Sequence, residues 1–580
     1  VFEGPFDPGD TVPALEKPLH FRRPVGRPKG RAVDSDAAQR VAALLGDLPR
    51  RRDLLIEALH RVQDAERHLS APAIAAIAEA FRLSQAEVFE VATFYHHFDV
   101  AGDGTPPPPA LTVRVCDSIS CELQGAAALA EALEGGLPAH AVRVQRVPCV
   151  GRCDRAPVAI VDRHPVERAT PAAVLAAVDS GARGCEPPAA QSFGEALAVG
   201  AYAQLRRCLS GALTRDAVLA EVEAAGLRGL GGAGFPTHRK WRTVAAQPGP
   251  RLMAVNADEG EPGTFKDRVW LETEPHRILE GMLVGAWTVG ASAVYVYLRD
   301  EYAGVRAWLE RELPALRAWL AAEWPGDAGP PPEVHLRRGA GAYVCGEESA
   351  MIESIEGRRG MPRLRPPYVA QVGLFGRPTL VNNPETLMWV ATILERGGAA
   401  YARNGRRGRV GLRSFSVSGR VRDPGVKLAP AGITLRELID EHCGGMAPGH
   451  ALYGYLPGGA SGGILPASLA DVPLDFDTLA PHGAFVGSCA VVVLSDRDRA
   501  RDAAANLLRF FRHESCGQCT PCRAGTAKAE PLLEADVWDA ALLGELSRAM
   551  RDASICGLGQ AAPNPFDSVL RHFPDEVSKA

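Results

Sequence analysis

No stretch of this 580-residue chain is both long and apolar enough to span a bilayer; residues 282–298 and 484–494, the most apolar, are broken by glycine or too short. The first thirty residues lack an apolar run of signal-peptide length and are interrupted by proline and arginine. An excess of one charge is missing too. Lys and Arg number 64 against 69 Asp and Glu, a net −5, which gives no general reason to expect nucleic-acid binding. There is no internal repeat and no disulfide framework: thirteen cysteines, an odd number in clustered pairs, suit metal ligation in a reducing compartment. The expectation is a cytoplasmic protein without membrane or nucleic-acid partners.

What is present is length for about three to five domains, and glycine (60) and proline (46) enough for many turns and nucleotide-type loops. Residues 1–35 read as an extended arm with Arg22, Arg23, Arg27, Lys29 and Arg31, either a solvated tail or a strap that docks on a partner. Residues 36–109 form a helical segment, with apolar residues at three- and four-residue spacing and a Pro/Gly boundary at 102–109. In 110–183, strand-like runs at 111–115 and 142–147 lead into Cys116 and Cys149. A linker (184–200) follows, then strand and helix signals alternating over 201–405, a glycine-rich region of short strands (406–495) and a helical end (496–580).

Eight cysteines make two groups of four. Cys516, Cys519 and Cys522 recur every third residue, so one tight loop aims three sulfurs inward and distant Cys556 completes the set. That three-plus-one pattern points to a 4Fe-4S cluster, with zinc as the alternative. Cys116 with Cys121, and Cys149 with Cys153, form two pairs. Such pairs suit a 2Fe-2S rhomb, and on spacing alone zinc is a stronger rival here. Cys185, Cys208, Cys345, Cys443 and Cys489 read as buried, inert thiols.

Residues 226–237 carry a formal GxGxxG, yet a helical pattern rather than a strand precedes it, so an ordinary dinucleotide fingerprint is not met. A glycine-dense loop still lets backbone N–H groups approach an anion, with Lys240 adding charge, although a packing turn is the plain alternative. Two more polar segments, 256–267 and 339–349, each follow a strand-like run, where an α/β sheet places a ligand crevice.

These segments, with 362–367, Val381-Asn382-Asn383-Pro-Glu-Thr386 and the run Glu-Ser-Cys516 to Cys522, resemble the flavin- and NADH-binding subunit of respiratory NADH dehydrogenase. Residues 36–161 resemble its small thioredoxin-like 2Fe-2S subunit, so the chain is similar to the two fused. Over Cys116-Asp-Ser-Ile-Ser-Cys121, 412–420 and 458–468 it most resembles the β subunit of NAD-dependent molybdenum or tungsten formate dehydrogenases; the diaphorase subunit of NAD-reducing hydrogenase shares much of this.

The resemblance implies a multidomain α/β chain. An N-terminal helical segment with a thioredoxin-like 2Fe-2S domain would precede a Rossmann-like FMN/NADH domain, a β-grasp insert and a C-terminal helical-bundle 4Fe-4S domain. It places FMN against Gly229, Gly231, Gly232, Lys240, Asn256, Asp258, Glu259, Tyr343, Gly346, Glu347, Asn382, Asn383 and Thr386. NAD falls against Phe235, Glu261, Glu348, Arg365 and Tyr368. The chain departs from the family at Leu230, often Arg, and at Arg365-Pro-Pro-Tyr368, often Lys-Pro-Pro-Phe; an arginine still pairs with phosphate and a tyrosine still stacks. Only 33 residues separate Cys522 from Cys556, a trimmed loop by the family's standard.

The implied function is that of an NAD-dependent oxidoreductase subunit. Electrons from a separate Mo- or W-pterin formate-oxidising α subunit, itself carrying further clusters, would pass through the 4Fe-4S site to FMN and leave as NADH. The 2Fe-2S site would be a side branch or electron store. Alternatives are the diaphorase subunit of a hydrogenase, or of a respiratory or bifurcating NADH dehydrogenase. NAD moves two electrons as hydride and clusters move one; a flavin bridges the two, and no side chain has to act as general acid or base. A zinc-structured nucleotide-binding scaffold is the rival of a different class.

Overall fold

The computed structural model describes residues 30–325 and 329–577, so most of the expected arm, including Arg22, Arg23, Arg27 and Lys29, lies outside the described residues. Arg31 does not: its backbone N–H donates to Gln85 Oε1 at 2.9 Å and its side chain pairs with Asp103.

Four helices come first: Ser35–Leu45, Leu55–Glu66, Ala71–Phe81 and Gln85–Phe94. Local chemistry sets their ends. Asp34, Ser70 and Ser84 accept N–H groups of the first turns, and Ser84 with Glu87 closes a reciprocal capping box. Arg67 and Arg82, in left-handed backbone, terminate two of them.

A four-stranded sheet follows, in which Leu111–Cys116 pairs parallel with Val142–Val147 and antiparallel with Ala159–Val161, which in turn pairs with His164–Val166. Helices Ala126–Gly136 and Pro171–Asp179 contribute to its own core with Val113, Val115, Leu133 and Val161.

The largest domain is built on an all-parallel sheet in the order Thr379–Asn382, Arg251–Ala257, Ala291–Leu298, Glu333–Arg338. Its central strands are buried along nearly their whole length, as a sheet covered on both faces requires, which explains the continuous apolar runs at 252–255 and 293–298. Helix Pro275–Val289 lies against helix Pro384–Arg396 so closely that a Cβ at Gly281 would overlap the Leu387 carbonyl.

Next comes a five-stranded mixed sheet, Gly425–Pro430, Leu412–Gly419, Ala490–Ser495, Leu452–Leu456, Leu465–Pro466. The helices Ala500–His513, Thr520–Glu534, Ala540–Ala553, Gly557–Ala561 and Asn564–His572 end the described chain. The expected multidomain α/β architecture is therefore present. Among the described residues no helix is long and apolar enough to cross a membrane.

Polar seams join the domains. Arg337 and Arg338 of the parallel sheet reach Asp53 at 3.2 Å and Asp64 at 2.6 Å on the N-terminal helices, and buried Tyr95 donates to the Arg358 carbonyl at 2.7 Å. The Gly281→Ala substitution should cost about 1–3 kcal/mol, the usual scale of overpacking, and lower the urea midpoint without changing the denaturant slope. An unchanged midpoint would show that the two helices separate at little cost.

Candidate functional site

Two groups of thiols assemble. The first strand of the small sheet ends at Cys116, Cys121 sits in the short helix Ile119–Glu122, and Cys149 and Cys153 lie in the loop after Val142–Val147. All four are buried, with Cys149 and Cys153 sulfurs 3.3 Å apart and Cys116 within bonding reach of both Cys121 and Cys149. No disulfide links them. Hydrogen bonds from Cys116 and Cys153 hold the Cys149 thiol well below its ordinary range, helped by the guanidinium of Arg299 and the Gly151 N–H. This is a preformed soft-donor cage.

The second group is looser. Cys516 and Cys519 are half-buried on the loop after helix Ala500–His513, Cys522 lies in the first turn of Thr520–Glu534, and Cys556 caps Gly557–Ala561. Burial pushes Cys522 up to about 12 and Cys556 up to about 11, and Cys522 feels the charge of Cys519, Cys556 and Cys516. Helix Gly557–Ala561 approaches only because residue 559 is glycine: a Cβ there would come 2.8 Å from the Cβ of Cys522. Four thiols converging from a single loop and one distant cap fit a cluster.

A glycine cradle forms a third feature, packed against Asn383, Thr386 and Phe476. The glycine loop connects helix Arg215–Ala224 to helix Thr237–Ala245, so no strand precedes it. Gly232 and Gly234 have φ of 122° and 63°, and a Cβ at Gly234 would overlap the Phe476 ring. Leu230 is buried in the core while its N–H donates to Thr386 Oγ1 at 2.9 Å; Gly231 backs onto Asn383. Thr237 Oγ1, at the start of the following helix, and Asp258 Oδ2 are both buried without a partner. An orphaned hydroxyl at the end of a glycine loop is what a phosphate would satisfy, and an orphaned carboxylate oxygen at a strand end is what a polyol would, so the residues present fit FMN.

Of the remaining expected flavin contacts, Lys240, Asn382 and Asn383 adjoin this loop and its following helix, and Asn256 and Asp258 meet Gly346 at the strand end. Asn256 Nδ2 donates to the Gly346 carbonyl at 2.8 Å, Asn382 accepts from Trp241 at 2.9 Å, and Asn383 Nδ2 donates to Asp267 at 2.6 Å. Lys240 Nζ rests 3.2 Å from the Val381 carbonyl, its pKa lowered by burial. Glu259 accepts the N–H groups of Asp267 and Arg268 and the Tyr302 hydroxyl at 2.8–3.0 Å, so it anchors a helix start. Burial raises its carboxyl to about 7 and that of Asp258 to about 8. Glu347 caps helix Glu348–Ile355 and pairs with Arg365, which also lies 3.4 Å from Glu348.

Of the expected dinucleotide contacts, Phe235 and Tyr368 stand half-exposed, while Glu348 and Arg365 lie within electrostatic range of Lys240. Glu261 is half-buried instead, its carboxylate taken by the Tyr343 hydroxyl and, at 2.7 Å, by the Ser461 N–H.

A cavity of about 510 Å³ opens between the domains and touches Cys149, Asp258, Gly260, Arg299, Tyr343 and Glu514. On its wall His96, His513 and Glu514 converge, but their donor atoms are spent on one another: His96 to His513 at 3.0 Å, His513 to Glu514 at 3.0 Å, and the second Glu514 oxygen to the Tyr343 N–H at 2.8 Å. This is a hydrogen-bond relay between the N-terminal helices and the cysteine loop.

Sequence reasoning passed over Arg299, Arg268 and Tyr302, which tie the Cys149 loop to the parallel sheet. The available signal was Arg-Asp-Glu-Tyr directly after the strand Ala291–Leu298, the same strand-end position that drew attention to Asp258.

Four families match the chain: the thioredoxin-like [2Fe-2S] ferredoxin over residues 41–181, the Nuo51 FMN-binding domain over 222–392, the SLBB domain over 414–465, and the NADH-ubiquinone oxidoreductase-F iron-sulfur binding region over 502–580. The mitochondrial NADH dehydrogenase [ubiquinone] flavoprotein 1 of Dictyostelium discoideum is 43% identical over 381 residues, 63% of this chain and 78% of that protein. The mitochondrial NADH-ubiquinone oxidoreductase 51 kDa subunit of Neurospora crassa is 41% identical over 376 residues, covering 62% and 76%. Among solved structures, a chain of NAD+-reducing [NiFe]-hydrogenase in the H2-reduced state superposes with a TM-score of 0.80 at 34% identity, covering 91% of this chain and 92% of that one.

Two outcomes test the site. Cys519→Ser should abolish the 4Fe-4S signal in EPR while FMN stays bound, because the cradle shares no side chain with that cage; loss of both would mean the two sites are one folding unit. For Asp258, a folded pKa near 8 against an ordinary 3.8 means that the folded state keeps a proton which the unfolded chain releases. Its contribution is complete at acid pH and is lost as pH rises through about 8. In flavin-free protein, Asp258→Asn should therefore gain thermal stability relative to wild type between pH 5 and pH 8, about the window that shift defines. A difference that stays flat with pH would refute the raised pKa.

Proposed function

The chain belongs to the family of the NADH dehydrogenase 51 kDa flavoprotein, an NADH-binding flavin and iron–sulfur electron-transfer component, and from that premise we propose that it links NAD(H) to a separate hydrogen-oxidising subunit, as the diaphorase of an NAD-reducing hydrogenase. One observation carries the choice of partner. The chain joins the 2Fe-2S, flavin and 4Fe-4S parts in one polypeptide, and the NAD+-reducing hydrogenase chain is similar across 91% of it, whereas the two respiratory relatives reach 63% and 62%.

When bound, FMN supplies hydride exchange with NAD(H) and single-electron exchange with the clusters. The chain's own residues bind and orient. N–H groups of the loop at Gly231 and Gly232, with Thr237 and Lys240, would take the phosphate side, while the Gly229 N–H, donated to the Phe235 carbonyl at 2.8 Å, shapes the loop. Asn256, Asp258, Tyr343, Gly346, Asn383 and Thr386 would line the rest, with Glu259, Glu347 and Asn382 holding those segments in place. Half-exposed Phe235 and Tyr368 offer aromatic faces to a dinucleotide, and Arg365 offers its phosphates a cation. Cys516, Cys519, Cys522 and Cys556 would hold 4Fe-4S, and Cys116, Cys121, Cys149 and Cys153 would hold 2Fe-2S. Glu261, tied to Tyr343 and Ser461, would meet the nicotinamide side only as part of the wall.

A second reading keeps formate as the electron source, with a Mo- or W-pterin partner. It is favoured by the motif likeness at residues 116–121, 412–420 and 458–468.

Anaerobic protein should contain one FMN and about six irons per chain, with zinc far below stoichiometry. A colourless, zinc-loaded preparation would end the redox reading. Purified with its partner, the complex should contain nickel and reduce NAD+ with H2; molybdenum or tungsten with formate-dependent reduction would select the second reading.

A further inference from the structure

The loop carrying Cys149 and Cys153 is clamped by two buried arginines belonging to the parallel-sheet domain. Arg299, 5% exposed, follows directly after the strand Ala291–Leu298. Its Nη2 donates to the Cys149 carbonyl at 2.7 Å, its Nη1 donates to the Glu259 carbonyl, and Nε and Nη2 bind Glu301 at 3.1 and 2.6 Å. Arg268 holds the same loop one turn on, with Nε 2.8 Å from the Gly151 carbonyl and Nη2 3.0 Å from Asp154. Gly151 has to be glycine: its φ is 73°, and a Cβ would overlap the Tyr302 ring. The approach is tight, and every nitrogen of Arg299 is used.

A guanidinium is an expensive group to bury, and a neutral donor would bond a carbonyl at lower cost. What the cation adds is charge at short range in a low-dielectric site. Reducing a thiolate-held cluster adds one negative charge, and a fixed positive charge beside a ligand residue stabilises the reduced form. Glu301 offsets part of that charge, which makes it a lever of opposite sign. Arg268 is more heavily compensated, by Asp154 and Glu272.

We infer that Arg299 is a positioning residue for the 2Fe-2S site, fixing the Cys149 loop against the flavin-side strand ends and raising the cluster's reduction potential through its charge. This rests on Cys116, Cys121, Cys149 and Cys153 holding a 2Fe-2S cluster. It gives the cluster an electronic link to the flavin domain beyond proximity, because the same guanidinium bonds the backbone of Glu259.

The test is an EPR-monitored redox titration of the full chain loaded with both clusters and FMN. Arg299→Gln should weaken reduction of the 2Fe-2S cluster by tenfold or more in equilibrium constant, a downward shift of about 59 mV for one electron. Arg299→Lys, which keeps the charge and loses the fork of hydrogen bonds, should recover most of that shift. Glu301→Gln should move the potential up. The 4Fe-4S midpoint should stay put in all three.

Equal shifts in Arg299→Gln and Arg299→Lys, or no shift in the former, would overturn the charge role and leave a purely structural tie. Should Arg299→Gln fail to hold iron, Glu301→Gln decides alone: an upward shift supports the inference and an unchanged or lower midpoint refutes it. Wild-type protein without any 2Fe-2S signal would remove the premise, a failure separable from the variant results.

Discussion

Strands Arg251–Ala257, Ala291–Leu298 and Glu333–Arg338 all end at one edge, and the polar residues released there must be satisfied away from bulk water. The solution is a dense set of charged bonds. Asp300 takes Arg306 at 2.7 Å, Arg338 and His97; Glu259 takes a helix start and Tyr302; Arg299 takes two carbonyls and Glu301. His60, on the second helix, closes the edge by bonding the Gly339 carbonyl at 2.9 Å, and burial lowers its pKa to about 3, so it stays neutral. Break this edge and the N-terminal helices, the small-sheet domain and the parallel-sheet domain lose their common anchor.

That edge is also where open-sheet proteins bind ligands. The same geometry that forces polar groups together therefore puts Asp258, Tyr343 and the Cys149 loop around one cavity, with Glu514 reaching it from two residues before Cys516. At this edge Asp258 keeps one buried oxygen without a hydrogen-bond partner, and the Nε of Arg337 likewise lacks one. An unpaired buried carboxyl destabilises the chain alone and makes sense as a ligand contact.

What could be read from the chain followed sequence distance. Cys516, Cys519 and Cys522 announce a cluster because three ligands share one loop, and the glycine loop announces a cradle because its backbone requirement is local. The alternation of strands and helices, the helical start and the cysteine cages were legible for the same reason. Arg299 was not, since its partner Cys149 lies 150 positions away, and neither was the contact of His96 with His513, 417 positions apart. Glu261 could be seen as a carboxylate in the right segment, but not that Tyr343 and Ser461 would occupy it. Motif spacing reports which groups are present; pairing across domains decides which of them remain free.

Fusion of the 2Fe-2S part to the flavin part has a physical consequence at that seam. An interface between separate chains has to offset lost translational freedom, and buried ion pairs contribute little to doing so. Within one chain, docking becomes intramolecular, and the effective concentration set by the connection between helices Pro171–Asp179 and Phe193–Ala198 replaces much of that affinity. The seam can then be built for electrostatics: Arg299 and Arg268 against Cys149, Gly151 and Asp154, and Arg338 against Asp64 at 2.6 Å, beside an apolar contact of Cys149 and Cys153 with Phe265. A polar seam is weak as glue but strong as a field. Where the groups on either side are to exchange electrons, a fixed field at the junction does more than additional apolar area would.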